Sequence, residues 1–399
     1  MNLGRGVHLT YCSNIHAGES WREVRANIET HVVAVRDRLV PGGQFGVGLR
    51  LSAQAAAELS EPAVLAEFKV FLDRRGLYVF TLNGFSHGRF HGTRVKERVY
   101  QPDWRESERL RYSNLLADLL AALLPDEPAL AGSVSTVPGM FKPALLSRHD
   151  VDLMVGNLVR HVAHLVALRR RTGRLIALAL EPEPSCFLET IDEVIDFFEH
   201  ELRGPAAVRR VMELTGLERS GAASALHDHL GVCLDLCHAA VEFEDPKQCI
   251  ERLERASITV HKMQVSAGLV LPRLDFEMLA ALAHFDDPVY LHQVVQQGPE
   301  GLARFVDLPL ALGSRPSATT NREWRVHFHV PIFLDRLPPF ASTQPFVRAV
   351  LAMHRAKPVS PHLEVETYTW DVLPEPYRCG NVDDAVAREL AWVRAELSA

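Results

Sequence analysis

The sequence predicts an α/β fold, a TIM (β/α)8 barrel carrying an insertion, and three observations lead there. Short β-rich runs alternate with longer helical runs from the first residues onward. Repetition of that order implies parallel strands joined by right-handed crossovers, and eight such units close a barrel. Strand after strand ends in a carboxylate, an amide or an imidazole, the groups that the mouth of a barrel gathers at the carboxyl ends of its strands. The length of 399 residues suits one decorated barrel, since no Gly/Ser-rich or Pro-rich stretch marks a linker. A doubly wound open sheet is the alternative, but no G-x-G-x-x-G follows any early strand.

The elements follow in order. Residues 7–12 read as a strand, after which Ser20-Trp-Arg-Glu23 forms a capping box opening a helix with apolar positions Trp21, Val24, Ile28, Val32, Val35 and Leu39. Strands at 45–52 and 77–83 flank a helix at about 61–75 that Gly76 stops. A long polar loop leads to a helix near 105–124, a strand at 132–137, and a helix at 151–172 with Asp150 as its N-cap and Gly173 beyond its end. Residues 175–181 form a buried strand. Helices near 188–202 and 205–215 precede the strand 231–236, Asp245-Pro246 starts another helix, and 258–266 is the next strand. Strand patterns at 289–295, 325–330 and 363–369 bring the total to ten. A barrel needs eight, so two of the last four belong to an insertion between Ser266 and His362, at about 267–325, within one domain spanning 1–399.

Composition narrows the class. With 47% apolar and 23% charged residues the chain can bury a large core, which excludes disorder. A net charge of -7, with Arg169-Arg170-Arg171 at a helix end where cations suit the dipole, argues against a nucleic-acid partner. The six cysteines include no C-x-x-C pair, which fits a reducing compartment better than a disulfide framework and makes Cys233 and Cys237 weak zinc candidates. The first twenty residues lack a basic start followed by an apolar run, and no amphipathic basic helix marks a membrane surface. A cytoplasmic location is the expectation; the oligomeric state is not legible.

Chemistry enters at the strand ends. The run Leu175-Ile-Ala-Leu-Ala-Leu-Glu181 places Ala177, Ala179 and Glu181 on one face by the period of two. Asp235 ends the next strand, with His238 three residues on. Lys262, Gln264 and Ser266 share a face, as do Glu364 and Glu366. These groups converge only in a parallel barrel. Carboxylates with an amide oxygen or imidazole make a hard site for Mg2+, Mn2+ or another divalent ion such as Zn2+. An ion of that kind polarises a carbonyl while a carboxylate moves a proton from the adjacent carbon, the chemistry of isomerases and epimerases of hydroxy-carbonyl compounds.

The same residues resemble the xylose-isomerase-like TIM barrels, which include sugar and sugar-phosphate isomerases and epimerases. In those enzymes Glu ends strand five, Asp-x-x-His follows strand six, a polar ligand lies on strand seven and Glu ends strand eight; Asp235-Leu-Cys-His238 has the matching spacing. The resemblance implies that Glu181, Asp235, the strand-seven residue and Glu366 hold the metal, that Glu181 and Glu366 are the two acid/base carboxylates, and that His238 and Glu189 contact substrate. Over nearly its whole length the chain also resembles the EboE family of metabolite-traffic proteins. The segments are Leu9-Thr-Tyr-Cys-Ser-Asn-Ile-His16, Asn83-Gly-Phe through His91-Gly-Thr-Arg-Val-Lys-Glu97, Pro102-Asp-Trp104, Asp235-Leu-Cys-His238, His327-Phe-His-Val-Pro331 and Leu363-Glu-Val-Glu-Thr-Tyr-Thr-Trp370. That resemblance implies an isomerase-type barrel linked indirectly to a prenyltransferase-like membrane protein and to the supply or export of a bacterial secondary-metabolite precursor.

One departure matters. The epimerases place His on strand seven, whereas Gln264 lies at the expected distance after Asp235 and His329 at the expected distance before Glu366. The reading favours Gln264 as ligand and His329 as a substrate or supporting group, and the sequence leaves the choice open. An amide oxygen accepts a hard ion but weakens the site for softer ones.

Each residue also has a plainer role open to it. Glu181 could cap a helix or join an ion pair, although Pro182 and Pro184 aim its backbone rigidly. Asp235 and His238 could be capping groups, and Glu364 competes with Glu366. His16, His87 and His91 read singly as hydrogen-bonded loop histidines, and together as lining of the mouth and contacts for substrate. The loop Phe85-Ser-His-Gly-Arg-Phe-His-Gly92 is either a water-excluding lid or a long ordered connection. Lys262 on an inward face would hold a carboxylate or a substrate anion, and Arg50 invites the same reading. Three functions follow: a metal-dependent isomerase or epimerase of a small sugar-like or hydroxy-carbonyl metabolite, a non-catalytic metabolite-binding and handover protein working with a membrane partner, and a metal-dependent phosphodiester hydrolase.

Overall fold

The computed structural model describes residues 1–92, 94–127, 130–314, 322–378 and 380–398. In chain order the strands are β1 (His8–Tyr11), β2 (Phe45–Arg50), β3 (Leu77–Asn83), β4 (Gly132–Thr136), β5 (Ile176–Leu180), β6 (Leu230–Asp235), β7 (Val260–Val265), β8 (Ala267–Leu271), β9 (Val294–Gly298), β10 (Gly301–Phe305), β11 (Glu323–Val330), β12 (Arg336–Leu337), β13 (Phe340–Ser342) and β14 (His362–Val365). Eight of them form a parallel sheet in the order β1-β14-β7-β6-β5-β4-β3-β2. The two outer strands meet: Thr10 Oγ1 donates to the Gly46 carbonyl at 2.7 Å and accepts from the Gly48 N–H at 3.0 Å, and Cys12 pairs with Gly48. The result is a (β/α)8 barrel, nearly closed at that seam.

Local signals set most boundaries. Ser20 caps the first long helix with Glu23 in a capping box, Gly76 ends Pro62–Arg75 in the left-handed region at φ 61°, and Asp245 accepts from the N–H groups of Lys247 and Gln248. Asp150 is not the cap of the helix Arg148–Thr172. Ser147 is, and Asp150 at the third helical position reaches back to accept from the Ser147 N–H at 3.0 Å, so the first turn starts earlier than the apolar pattern suggests. This helix is the one described helix long and apolar enough to cross a membrane, and 56% of its most apolar window is buried inside the protein. Cys12, Cys186, Cys233, Cys237 and Cys249 are buried free thiols, while Cys379 lies outside the described residues.

The strands beyond β7 divide into two sets. β8 begins after the single residue Ser266, turns away from the barrel, and joins an antiparallel sheet in the order β10-β9-β11-β8-β13-β12. This sheet takes in strands from Ala267 to Ser342, so it extends past residue 325, and the pattern at 325–330 is its central strand β11. Gln264 therefore lies on the seventh barrel strand and His329 on the inserted sheet. The short strands β10, β12 and β13, mostly exposed or two to three residues long, carry little periodic signal. Barrel and inserted sheet share one apolar core, in which Val265, Leu269, Phe328 and Val330 pack in the same cluster as Leu9, Val47 and Leu178.

A buried carboxylate ties the two parts together behind β14. Glu389, from the last helix (Val382–Ser398), accepts from Thr367 Oγ1 at 2.8 Å and from the N–H of Ile332 at 3.1 Å. Burial raises its pKa to about 7, against the opposing pull of those two hydrogen bonds. A carboxylate with a raised folded-state pKa stabilises most below its unfolded value and loses that contribution as pH rises through the folded one. Glu389→Gln keeps an acceptor oxygen and removes the ionisation. Between about pH 5 and pH 8 the unmodified protein is expected to lose of order 2–3 kcal/mol more stability than Glu389→Gln in urea unfolding. Equal pH dependence in both would remove this ionisation from the account.

Candidate active site

The site is the upper layer of the barrel interior. Side chains alternate along each strand, so inward positions on neighbouring strands stack in layers. The lower layer is small and polar: Thr81 Oγ1 meets Ser133 Oγ at 2.8 Å, Ser133 Oγ meets His362 Nδ1 at 2.8 Å, and Lys262 Nζ pairs with Glu364 at 2.5 Å and donates to Ser135 Oγ at 3.3 Å. Gly48 faces Glu364 so closely that a Cβ there would collide with Oε1 and with the Tyr11 carbonyl. Two residues further along the same strands the layer changes character. Gln264 follows Lys262, Glu366 follows Glu364, Asp235 follows Cys233 and Glu181 follows Ala179.

Glu181, Asp235 and Glu366 bring one carboxylate oxygen each within 4.8 Å of the others, and all three are buried. Asp235 Oδ1 is satisfied by the N–H of His238 at 2.9 Å and by Ser266 Oγ at 2.8 Å, leaving Oδ2 with no partner. Glu366 Oε1 accepts from Asn14 Nδ2 at 2.8 Å and Asn83 Nδ2 at 3.1 Å. Glu181 Oε2 and both polar atoms of Gln264 have no hydrogen-bond partner. Burial, then the nearby charges of Asp235 and Glu364, raise the Glu366 pKa to about 8. Burial and the Glu366 and Asp235 charges push Glu181 well above the usual carboxylate range. Crowded, buried carboxylates with unpartnered oxygens are a donor set that suits a divalent ion, and Gln264 can add an amide oxygen.

The mouth is roofed. Phe85, Phe90, Val95, Val99, Tyr290, Leu291 and Tyr368 line the pocket opposite Glu181, Glu366, Asn14, Asn83, Glu183, His238 and His327. In the loop after β3, residues 86–91 are tied to their surroundings by hydrogen bonds. Arg50 donates to Ser86 Oγ at 3.2 Å and to the Gly88 carbonyl at 2.5 Å while paired with Glu19 at 3.0 Å, and the Phe90 N–H donates to Glu19 Oε1 at 2.8 Å. His91 bridges the Asn14 carbonyl and the Tyr290 hydroxyl, at 2.5 and 2.9 Å, so the roof braces the residue that orients Glu366. Arg50 thus holds the roof.

The structure gathers some expected residues and separates others. Glu181, Asp235, Gln264, Glu366, His238 and His329 converge at the mouth, with Nδ1 of His329 donating to the Glu366 carbonyl at 2.6 Å. Lys262 lies beneath them, fully buried. Burial works against its charge, but Glu364 outweighs this and holds its pKa above the ordinary lysine value, so the ammonium is committed to that carboxylate. Glu189 does not line this pocket; it is paired with Lys142, accepts from the Ser185 N–H at 2.7 Å, and lines a small neighbouring cavity with Asp235. His16 stacks on His31 at 4.2 Å and contacts the Tyr11 hydroxyl, while His87 packs on Tyr112 and lies 3.6 Å from Glu108; neither lines the pocket.

Four side chains that line the pocket are not singled out by the sequence. Asn83 ends β3 at the mouth, the positional signal already applied to the later strands. Glu183 follows Glu181 by two in Glu181-Pro-Glu-Pro184, and His327 shares a face of β11 with His329 by the same spacing. Asn14 sits in the turn after β1, where nothing in its neighbourhood marks it.

No family model matches the chain, and no curated protein does. Solved structures similar to it include the probable 3-DHS dehydratase AsbF of Bacillus anthracis, involved in petrobactin synthesis, at 13% identity over 96% of this chain and 98% of that one with a TM-score of 0.48. A xylose isomerase domain protein of Planctomyces limnophilus matches at 15% identity over 92% and 93% with a TM-score of 0.47. The 3-keto-D-glucoside 4-epimerase YcjR of E. coli matches at 14% identity over 98% of both chains with a TM-score of 0.42. At such identities the likeness concerns the fold.

The placement of Lys262 has a measurable consequence. Lys262→Met leaves the Glu364 carboxylate buried without its partner and is expected to destabilise the protein by about 3–5 kcal/mol. The double variant Lys262→Met/Glu364→Leu should recover most of that loss in urea unfolding. A stable Lys262→Met protein would contradict a committed ion pair.

Proposed function

We propose that the protein is a metal-dependent isomerase or epimerase that moves a proton on a small sugar-like or hydroxy-carbonyl metabolite in the cytoplasm. The observation that carries the proposal is the buried cluster of Glu181, Asp235 and Glu366, with oxygens left free toward a roofed pocket. Glu181, Asp235, Glu366 and the Gln264 amide oxygen would hold the ion, which when bound supplies positive charge to polarise a carbonyl and its neighbouring hydroxyl. The chain's own residues do the rest. Glu181 and Glu366 come from strands on different sides of the barrel, so they address a substrate between them from two directions. Asn14 and Asn83 fix one oxygen of Glu366 and leave the other for that task. His238, held by its Nδ1–H on the Pro182 carbonyl at 2.9 Å, presents Nε2 at the pocket wall. A link to secondary-metabolite supply or export, through a membrane prenyltransferase-like partner, is supported by the sequence resemblance alone.

Solvent exchange tests the proposal. Protein loaded with Mn2+, Mg2+ or Zn2+ and incubated in D2O with a panel of ketoses and hydroxy-ketones should place deuterium on the carbon beside a carbonyl. Glu181→Gln and Glu366→Gln should each lower that rate by about 10²–10⁴-fold while leaving the melting temperature of the protein unimpaired. Undiminished exchange in Glu181→Gln would overturn the proton-transfer role. Metal and metabolite binding with no exchange would favour the handover protein instead.

A further inference from the structure

The pocket above the carboxylates has two chemically different walls. Its floor carries Glu181, Glu183 and Glu366 with the amides of Asn14 and Asn83, and its roof is hydrocarbon and aromatic. Phe90, Tyr290 and Tyr368 form a mutual cluster, with ring centroids 5.2 Å apart for Phe90 and Tyr290, 5.4 Å for Phe90 and Tyr368, and 5.2 Å for Tyr290 and Tyr368. Val95 and Leu291 extend the roof, and Phe85 packs on Tyr100 at 6.1 Å. Two tyrosine hydroxyls are already engaged: Tyr290 meets His91 Nδ1 at 2.9 Å, and Tyr100 donates to Glu183 Oε1 at 2.8 Å. Those two tyrosines offer a ligand mainly their rings.

Charge in the lining is equally one-sided. Among the described residues, Lys96 is the only lysine or arginine that lines the pocket, and it is already paired: Nζ lies 2.7 Å from Asp307 Oδ2, with the two side chains 8% and 15% exposed. Asp307 follows β10 of the inserted sheet, and its other oxygen is fixed by the N–H groups of His292 and Leu308, each at 3.0 Å. Lys96 is held from its own side as well, since its N–H and that of Val95 both donate to the Val289 carbonyl at 2.9 Å. An ion pair fixed at both ends leaves no free cation for a phosphate or carboxylate on the ligand, and such an anion would also lie among three carboxyl groups. A hydrocarbon or aromatic group meets the opposite balance. Buried against the roof, it gains transfer free energy and leaves nothing polar unpaired.

Given the hydroxy-carbonyl reading of the site, on which this step rests, we infer that the pocket takes an uncharged hydroxy-carbonyl compound bearing an apolar arm, in preference to a phosphorylated or carboxylated one, and that Asp307 sets this preference by neutralising Lys96. The hydroxy-carbonyl end lies on the carboxylate floor and the arm lies against Phe90, Tyr290 and Tyr368. Asp307 does not line the pocket; it acts through Lys96 and is a positioning residue. The inserted segment thereby supplies selectivity as well as cover.

The probes are three hydroxymethyl ketones of the form HOCH2–CO–CH2–X, in which X is hydroxyl (dihydroxyacetone), phosphate or benzyl. Ligand-observed NMR titration of the full chain, as purified and again after removal of divalent ions, gives a dissociation constant for each. The benzyl ketone should bind roughly 10–100-fold tighter than dihydroxyacetone in both forms, and the phosphate no tighter than dihydroxyacetone. Asp307→Asn keeps the oxygen that accepts from His292 and Leu308 and breaks the ion pair. It should shift the ratio of phosphate to benzyl affinity about tenfold or more toward the phosphate, and adding Lys96→Met should abolish that shift. Tightest binding of the phosphate in either form of the unmodified chain, or a benzyl ketone that binds no tighter than dihydroxyacetone, would overturn the apolar-arm selectivity, and neither result depends on a variant folding. An Asp307→Asn protein that melts like its parent and keeps the same ratio would overturn the role of Asp307. Binding in the expected order without deuterium exchange would leave the selectivity in place and remove the proton-transfer reading; exchange without that order would do the reverse.

Discussion

The mouth of this barrel is arranged around three buried carboxylates. Glu181, Asp235 and Glu366 are each at most 5% exposed, and Lys262, buried in the barrel interior below them, is already committed to Glu364. Buried like charges raise one another's pKa or draw in a counter-charge, and the raised values at Glu181 and Glu366 express that tension. The barrel tolerates it because the hydrogen-bonding capacity of the cluster is partly met. Ser266 and the start of the helix after β6 satisfy one oxygen of Asp235, and two asparagines satisfy one of Glu366. Glu181 Oε2, Asp235 Oδ2 and both polar atoms of Gln264 remain unmet.

The lower layer makes this upper layer geometrically available. Small residues on β4, β5 and β6 leave room in the barrel interior for the long Lys262 and Glu364 side chains, which meet from the neighbouring strands β7 and β14, and Gly48 yields the space that the Glu364 carboxylate fills. With that pair in place, the next inward position on β7 and β14 is lifted to the mouth. The inserted sheet and the roof loop then close the site from above. β11 delivers His327 and His329, and the loop fixed by Arg50 and Glu19 delivers Phe85 and Phe90.

The barrel was legible because its signals are local and periodic. The runs ending in Glu181 and Asp235 are apolar strands with one polar terminus, and the capping residues Ser20, Gly76 and Asp245 mark helix ends in the chain itself. The carboxylates that meet could be named for the same reason, since a parallel barrel brings all strand ends to one rim. Partnership was not legible. Nothing in the sequence shows that Lys262 is taken by Glu364, that Glu189 turns to Lys142, or that His16 stacks on His31, because each depends on which side chain arrives opposite. The fate of His329 was open for a topological reason: β8 leaves the barrel after a single residue, and only the antiparallel pairing of β8 with β11 shows that His329 reaches the mouth from outside the barrel sheet.

Anomalous diffraction from crystals of the full chain soaked with Mn2+, recorded at the manganese edge, tests most directly whether the carboxylates form a cation site. The expected result is a peak bounded by the carboxylates of Glu181, Asp235 and Glu366, with the Gln264 amide oxygen turned toward it. Absence of a peak there, with Glu181 and Glu366 instead sharing a proton in a direct carboxyl–carboxylate contact, would contradict it.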